Sequence, residues 1–441
     1  MKKQFTPNQL LKRFSPQLES SKPMERIMLG LFILMFLAGV PAFYLQYTEG
    51  HIVTGMRDNV IWGIYIVNFI FYIGISYAGA LISGVLYLFQ AEWRKPIMRI
   101  AEMITVISTI LGPIYILLCM GRLDRLHHLA LYGRIQSPIT WDVIAITTYL
   151  VGSIIFLYLA TIPDLAILRD QTTLKIGKWR KPIYKFFAIS YKGTEKQEKL
   201  LTNSMKIMSI IIIPLAIIVH SVLSWIFGMT LRPGWHSTIF APYFVIAAVF
   251  SGTGVLIICM WVFRKLYHLE DIITIKHFNY LGLILLVLGS LYGYFTFAEY
   301  LTGWYGSEKW ELELIYKLFS WSEYGPMFYF AAFVGVLVPI LVVSIPYLRT
   351  INNITFASVI VVLAMWVKRY IIIIPTLETP LLPIQDSRID YVVYHITWVE
   401  WALTLAGLAT LVLFFYVFSK FVPIIPIHEN IEMEEDETEN K

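Results

Sequence analysis

The sequence contains few charged residues. Lys, Arg, Asp and Glu together make up 15% of its 441 residues, against roughly 25% in soluble domains. The shortage extends along the whole chain, and 57% of the residues are hydrophobic. Lipid is therefore the expected solvent for most of the chain, which excludes an ordinary soluble fold. The formal net charge of +5 does not indicate nucleic acid as a partner, because it follows from how Lys and Arg are distributed among the membrane loops.

Residues that bind metals are also scarce. There are two cysteines, Cys119 and Cys259, and no CxxC motif. An iron–sulfur cluster needs four thiolates and a structural zinc site needs a comparable set of ligands. Of the nine histidines, only His220 lies well inside a long apolar run, whereas a b-type haem needs two histidines on facing helices. We therefore expect no haem, no iron–sulfur cluster and no metal site in this chain.

What the sequence has in abundance is long apolar runs. A helix needs about 20 such residues to cross a bilayer, and these runs lack the alternation of a membrane β-barrel. The fold class predicted is all-α integral membrane with ten transmembrane helices. Their approximate ranges are 27–47, 60–89, 98–120, 141–168, 205–228, 238–263, 277–301, 323–346, 351–375 and 396–421.

Charge sorting predicts the orientation and the division of the chain. Lys and Arg are concentrated in the loops on the side that holds both termini, so the positive-inside rule places both termini in the cytoplasm. We expect the plasma membrane of a prokaryote, contacts with membrane lipid, and a first helix that is retained. The predicted divisions are a cytoplasmic segment 1–26, a membrane domain 27–421 and an acidic, solvated tail 422–441.

A short motif recurs in the second and sixth predicted helices. Residues 76–82 and 251–257 both read S-x-x-G-x-L-I. This predicts two pseudo-repeated four-helix bundles, helices 2–5 and 6–9, flanked by helices 1 and 10. Ordinary packing of small residues in two unrelated helices is the alternative.

Ionisable residues within spans are costly and are candidate functional residues. Most of them lie near the outer ends of the predicted helices, and only Asp164 lies toward the inside. The outer ones are Asp142, His220, Glu299, Lys368, Arg369, His395 and Glu400. This pattern fits proton exchange beside an apolar cavity near the outer surface. Oxidation of a quinol releases two protons and two electrons, and carboxylates and imidazoles accept the protons.

Each of these residues also has a structural interpretation. Asp142 follows Ser137-Pro138, a typical helix start, and an acid there could serve the helix dipole. Glu299 and Glu400 could be interfacial, Arg369 could pair with an acid, and His220 could be a packing residue. Two other functions stay open, a secondary transporter and a purely structural membrane anchor. Transporters place their polar sites near the midplane, which the crowding at the outer end disfavours.

Several segments together carry a resemblance to a known family. The segments are GISYAGALISGVLYLFQAEWR (74–94), SPITWDVIAITTYL (137–150), YLATIPDLAILRD (158–170), HSVLSWIFGMTLRPGWHSTIFAPYF (220–244), FAEYLTGWYG (297–306), MWVKRYIIIIPTLE (365–378), TWVEWALTLAG (397–407) and FVPIIPI (421–427). On these segments the chain resembles the polysulfide reductase membrane-subunit (NrfD-like) family, and is most similar to the ten-helix branch found in the quinol-dehydrogenase membrane subunit of alternative complex III.

The resemblance implies a respiratory oxidoreductase subunit that binds a menaquinone-like quinone near the outer face. It implies a ferredoxin-like iron–sulfur subunit docked there and a further catalytic or haem subunit in the complex, with proton conduction through the bundle. Candidate quinone-binding residues are Asp142, Tyr77, Cys119, Arg122 and His236. Candidate proton-transfer residues are Asp164, His220, Glu299, Arg369 and Glu400.

The chain departs from the family at three positions. Tyr77 and Cys119 stand where relatives often carry His, and Ile226 stands where an acidic residue is often found. Tyr77, or His127 and His128, are candidates to replace the missing acid–base groups. The direction of electron flow and the terminal donor or acceptor stay open.

Overall fold

The structure, a computed structural model, describes residues 23–171, 177–230, 232–379 and 393–430, with the separate positions 11, 13, 16–18 and 174. Most of the predicted amino-terminal segment, and the acidic tail from residue 431 onward, lie outside the described residues.

Ten helices in the described part of the chain are long and apolar enough to cross a membrane, which confirms the predicted number of spans. All regular structure in these ranges is helical. The helices are α1 (Pro23–Glu49), α2 (Gly63–Leu88), α3 (Lys95–Cys119), α4 (Pro138–Asp170), α5 (Glu195–Gly228), α6 (Phe240–Leu266), α7 (Ile275–Gly306), α8 (Gly325–Ser344), α9 (Ile351–Leu377) and α10 (Trp398–Phe421).

The start of α5 differs from its prediction by ten residues. The apolar run starts near residue 205, but the helix begins at Glu195, where Thr194 and Gln197 form a capping box. These side chains bind the backbone N–H groups that a helix start leaves unpaired. Hydropathy detects the part of a helix that lies in lipid, so the polar first turns were not predicted.

We call the end of the bundle where α1 begins and α10 ends the terminal face, and the opposite end the distal face. Helices α2, α3, α4 and α5 pack in a closed ring, and α6, α7, α8 and α9 pack in a second ring. The rings meet mainly where α2 packs against α6. Two four-helix bundles are thus present, while their origin as a repeat stays a prediction.

Small residues bring α2 and α6 close together. A Cβ atom added to Gly252 would lie 2.8 Å from the carbonyl oxygen of Ile75 and closer still to the side chain of Ala78. The glycines at matching positions of the motif face different neighbours, because Gly79 lies against α3 and Gly254 lies 3.1 Å from the Ser358 carbonyl of α9. The recurring motif therefore allows close packing in both helices. In α2 its glycine packs against the next helix of the ring, α3, whereas in α6 the matching glycine packs against the last helix of the ring, α9.

Helices α1 and α10 pack against each other beside the first ring. A side chain at Gly39 would collide with Ala406, and α10 also contacts α3 and α2. At the terminal face, Lys420 pairs with Glu25 at 2.7 Å. Most of α1 is exposed and apolar, as expected for a surface that lies in lipid.

Candidate functional site

A cavity of about 980 Å³ opens near the distal face of the first ring. Its walls come from α2, α3, α4 and α5 and from the loop between α3 and α4, and they are mostly apolar. Residues that line it include Trp62, Phe69, Pro113, Cys119, His128, Tyr132, Asp142, Ile146, Ile226 and Phe227. A cavity of this size with a few polar groups is typical of a site for a large apolar ligand.

Asp142 provides the carboxylate of this cavity. Its Oδ1 atom is buried and has no hydrogen-bond partner among the residues that the structure describes. Helix α4 begins at Pro138, so Asp142 lies in the second turn, beyond the unpaired N–H groups where an acid stabilises a helix start. The helix-dipole interpretation therefore does not account for Asp142, whereas a ligand with a hydroxyl group would satisfy its free oxygen.

The other predicted quinone-binding residues are divided between the cavity and other places. Cys119 lines the cavity and donates to the Ile116 carbonyl. Arg122 is exposed and binds Asp124, with Nη2 and Oδ2 2.7 Å apart. Tyr77 is buried deeper, where its ring lies 4.8 Å from that of His220. His236 lies next to the second ring and contacts Glu311.

A second polar group lies in the second ring, toward the distal face. Lys368 of α9 is 3% exposed, and its Nζ atom donates to the Tyr300 hydroxyl at 2.8 Å. It shares a cavity of about 50 Å³ with Glu299 and with Glu311 of the distal surface. One oxygen of Glu299, Oε2, is buried without a partner. The amine of Lys368 and the carboxyl group of Glu299 therefore lie beside a small cavity that extends to Glu311 at the surface.

Deeper in the protein this group continues into a series of hydroxyl groups. The Tyr243 hydroxyl lies 2.9 Å from the Thr296 hydroxyl and 3.3 Å from that of Tyr292. Arg369 donates to the Ser251 hydroxyl at 3.1 Å and to the Met365 carbonyl, and it forms no ion pair with an acid in the described part of the chain. A cavity of about 20 Å³ touches His220, Arg369 and Lys368, and Nδ1 of His220 has no hydrogen-bond partner in the part of the chain that the structure describes.

Glu400, a predicted proton carrier, is held by several hydrogen bonds. It is fully buried and accepts from the backbone N–H groups of Gly55 and Thr397, at 2.8 and 2.9 Å, and from the Tyr394 hydroxyl. It forms the capping box of α10 with Thr397. Burial and, next, the Glu400 carboxylate raise the pKa of Tyr394, which keeps the phenol a donor. These contacts hold the start of α10 against the preceding residues 394–397 and the loop before α2.

Asp164, the predicted inner proton carrier, forms a buried ion pair with Arg99 at 3.0 Å. Its other oxygen accepts from the backbone N–H groups of Ile427 and His428, at 3.0 and 2.9 Å. Both side chains of the ion pair are 1% exposed. Arg99 was not predicted as the partner of Asp164, because a charge pair between distant helices leaves no local pattern in the sequence. Asp164 therefore binds the segment after α10 to the terminal face.

Glu378 and Glu102 were not identified from the sequence. Glu378 pairs with Lys317 at 2.7 Å and accepts from the Tyr324 hydroxyl and the Tyr394 N–H. It ends the family-like segment 365–378, which is the signal that could have identified it. Glu102 of α3 is 2% exposed, and neither of its carboxyl oxygens has a hydrogen-bond partner within the described ranges. An acid within the apolar run of α3 is itself a signal, and it could have identified Glu102.

Comparison with known proteins gives several matches. Residues 52–380 match the family described as Polysulphide reductase, NrfD. The chain is 28% identical over 244 residues to a protein of Halobacterium salinarum described as a membrane subunit of dimethyl sulfoxide reductase. That match covers 55% of this chain and 53% of the relative, so the chain spans about half the length of that protein.

Two further relatives match over most of their length. A selenate reductase subunit of Mesobacillus selenatarsenatis is 23% identical over 410 residues, which is 89% of this chain and 93% of that protein. The Hdr-like menaquinol oxidoreductase integral membrane subunit of Archaeoglobus fulgidus is 23% identical over 407 residues, which is 88% of this chain and 90% of that protein. With ten apolar helices and a family match over residues 52–380, the chain is a multi-pass membrane protein that belongs to the NrfD family of polysulphide reductases.

Proposed function

We propose that this chain is the quinone-reactive membrane subunit of a respiratory oxidoreductase complex and that the cavity around Asp142 is its quinone site. The observation that carries this proposal is the buried, unpartnered carboxyl oxygen of Asp142 in an apolar cavity of about 980 Å³. An unsatisfied polar atom costs about 1–3 kcal/mol, which a quinol hydroxyl would offset. The name of the Archaeoglobus fulgidus relative as a menaquinol oxidoreductase subunit supports a menaquinone-like substrate.

The residues around the cavity suit the proton chemistry of a quinol. Oxidation of one quinol to the quinone releases two electrons and two protons. Asp142 accepts a proton from a hydroxyl group of the bound quinol, and His128, which also lines the cavity, is the second proton acceptor. Apolar walls such as Phe69 and Phe227 hold the ring and exclude water. The same residues serve quinone reduction when the electrons flow in the opposite direction.

The electrons leave the chain for a partner. We infer that a ferredoxin-like iron–sulfur subunit docks at the distal face, near the opening of the cavity, and that the complex also contains a further catalytic or haem subunit. The names of the relatives as membrane or other subunits of reductases support such an assembly. The sorting of Lys and Arg supports cytoplasmic termini in a prokaryotic plasma membrane, so the distal face would be the outer face.

The polar group of the second ring is proposed to conduct protons. Glu299 and Lys368 lie beside a cavity that also touches Glu311 at the distal surface. Tyr243 and Tyr292 extend this group toward Arg369. A series of hydroxyl, amine and carboxyl groups suits proton transfer over short steps.

Substitution of Asp142 tests the quinone site. We expect Asp142→Asn in the purified complex to lower quinol turnover by about 100-fold or more, since loss of a positioned acid–base group costs 10²–10⁴ in rate. Quinol-dependent reduction of the partner's iron–sulfur centres is the measurement.

The matched control is Asp124→Asn, the same change at the same face. Asp124 is exposed, and among the described residues its ion pair is with the surface residue Arg122, so this variant should turn over quinol at the wild-type rate. Equal rates for the wild type and Asp142→Asn would remove Asp142 from the mechanism and would leave the proposed site without its main support.

A further inference from the structure

His236, one of the predicted quinone-binding residues, does not line the quinone cavity. It lies in the loop between α5 and α6, beside a short helix, Lys309–Phe319, on the distal face. Its Nε2 atom lies 3.2 Å from Oε1 of Glu311. Glu308 adds a third group, and one ligand-type atom from each of the three residues lies within 4.8 Å of the others.

The orientation of the His236 ring directs one nitrogen at Glu311. Nδ1 lies 3.2 Å from the carbonyl oxygen of Arg232, and a carbonyl only accepts hydrogen bonds, so Nδ1 is the nitrogen that donates. Nε2 therefore faces the carboxylate oxygen of Glu311, at 3.2 Å. A ring nitrogen and a carboxylate oxygen directed at each other in this way can share a bound cation.

The distances fit a metal ion. Zinc binds imidazole nitrogen at about 2.0–2.1 Å and carboxylate oxygen at about 2.0–2.2 Å, so two ligands of a tetrahedral site lie about 3.3 Å apart. The observed separation of His236 and Glu311 is 3.2 Å. Metal-binding histidines also usually donate their other nitrogen to a carbonyl or carboxylate, as His236 does to Arg232. Glu308 is exposed, so its side chain has room to turn toward the same point.

We propose that His236, Glu308 and Glu311 bind a divalent cation of the zinc class at the distal face. Glu311 also lines the small cavity that contains Glu299 and Lys368. A cation bound here would close the opening of the second polar group and place positive charge next to Lys368. Proton release would then be inhibited; this consequence rests on the proposed proton path, whereas the binding itself does not.

Zinc titration of the purified complex tests the binding. The complex is first treated with a chelator and then titrated with Zn²⁺ in competition with a chromophoric chelator, and each variant is compared with the wild type. We expect the wild type to hold one more Zn²⁺ per chain than His236→Ala, and Glu308→Gln and Glu311→Gln to bind that ion at least 10-fold more weakly. Co²⁺ in place of Zn²⁺ should give the intense visible absorption of a tetrahedral site.

The control is His51→Ala, which removes a histidine from the loop between α1 and α2 and should leave the titration unchanged. Equal Zn²⁺ binding by the wild type and His236→Ala would overturn the proposal, and the contact with Glu311 would then be an imidazolium–carboxylate ion pair only. In proteoliposomes, we expect Zn²⁺ to slow quinol-driven proton release in the wild type and not in His236→Ala. Binding without this effect would leave the metal site intact and contradict its role at the proton path.

Discussion

Three carboxyl groups in this protein show how the surroundings of a residue decide its role. Asp164 has Arg99 and two backbone N–H groups as partners. Asp142 has an unpartnered oxygen beside a large cavity, and Glu102 has two unpartnered oxygens. The first arrangement stabilises the fold, the second is suited to a ligand, and the third costs stability. All three are acids within apolar runs, so the sequence alone does not distinguish these roles.

Side-chain direction limits what could be predicted at this scale. Asp142 and Cys119 were expected in one site, and they line the same cavity. Tyr77 was grouped with them because it stands where relatives often carry His, and His236 because it lies in the family-like segment 220–244. The structure separates them, because Tyr77 points toward His220 and the loop of His236 runs to the second ring. The position of a residue in an apolar run indicates its depth in the membrane. It does not indicate how the helix is rotated, and so which neighbouring helix the side chain faces.

Replacement of Glu102 should stabilise the protein. An unsatisfied buried polar group costs about 1–3 kcal/mol, and Met fills a similar volume without polar atoms. We expect Glu102→Met to raise the midpoint of thermal unfolding of the detergent-solubilised protein. Asp164→Asn provides the contrast, since it leaves Arg99 buried without its charge partner, and should lower stability by about 3–5 kcal/mol. A lower midpoint for Glu102→Met than for the wild type would show that Glu102 has a stabilising partner.

At the scale of helices, hydropathy predicted the ten spans but not their polar ends. The span of α5 was expected near residue 205, while its capping box lies at Thr194 and Gln197. The helix Lys309–Phe319 was also not predicted, because it lies outside the apolar runs. Both features depend on local hydrogen bonding and on amphipathic patterns that a search for membrane spans does not detect.

Two glycines of α1 offer a matched test of helix packing. A Cβ at Gly39 would collide with Ala406 of α10, whereas a Cβ at Gly30 would meet no atom within 4 Å. We expect Gly39→Val to destabilise the protein by about 1–3 kcal/mol, as overpacking does. Gly30→Val, on the same helix, should change the unfolding midpoint little. Thermal unfolding of both variants in the same detergent is the measurement, and equal midpoints would show that α1 moves away from α10 without cost.

At the scale of the whole molecule, the two candidate sites lie in different rings. The Asp142 cavity belongs to α2–α5, while Lys368 and Glu299 belong to α6–α9. The sequence predicted two four-helix bundles, but not that α1 and α10 lie together beside the first. Pairing between helices far apart in sequence depends on complementary small and large residues, and one sequence does not reveal which surfaces match.

Separation of the two sites predicts that quinol turnover and proton conduction can be uncoupled. We expect Lys368→Met to lower proton release per electron in proteoliposomes by about 10-fold, because the amine bound to Tyr300 is lost. Quinol turnover in detergent should stay within about 3-fold of the wild type, since Lys368 does not line the Asp142 cavity.

Lys309→Met is the control, as it removes an exposed lysine at the distal face and should change neither quantity. Unchanged proton release in Lys368→Met would exclude this amine from the path. If Lys368→Met loses both quinol turnover and proton release, the two rings act as one catalytic unit.

The binding of Ile427 and His428 by Asp164 has a consequence for biosynthesis. Asp164 and Arg99 are translated long before Ile427 and His428, whose N–H groups complete the bonding of the Asp164 carboxylate. The nascent chain therefore holds an incompletely bonded charge pair until translation has passed residue 428. A product that stops after α10 would lack both N–H donors, so the Asp164 carboxylate gains its full set of hydrogen bonds only in a chain translated past residue 428.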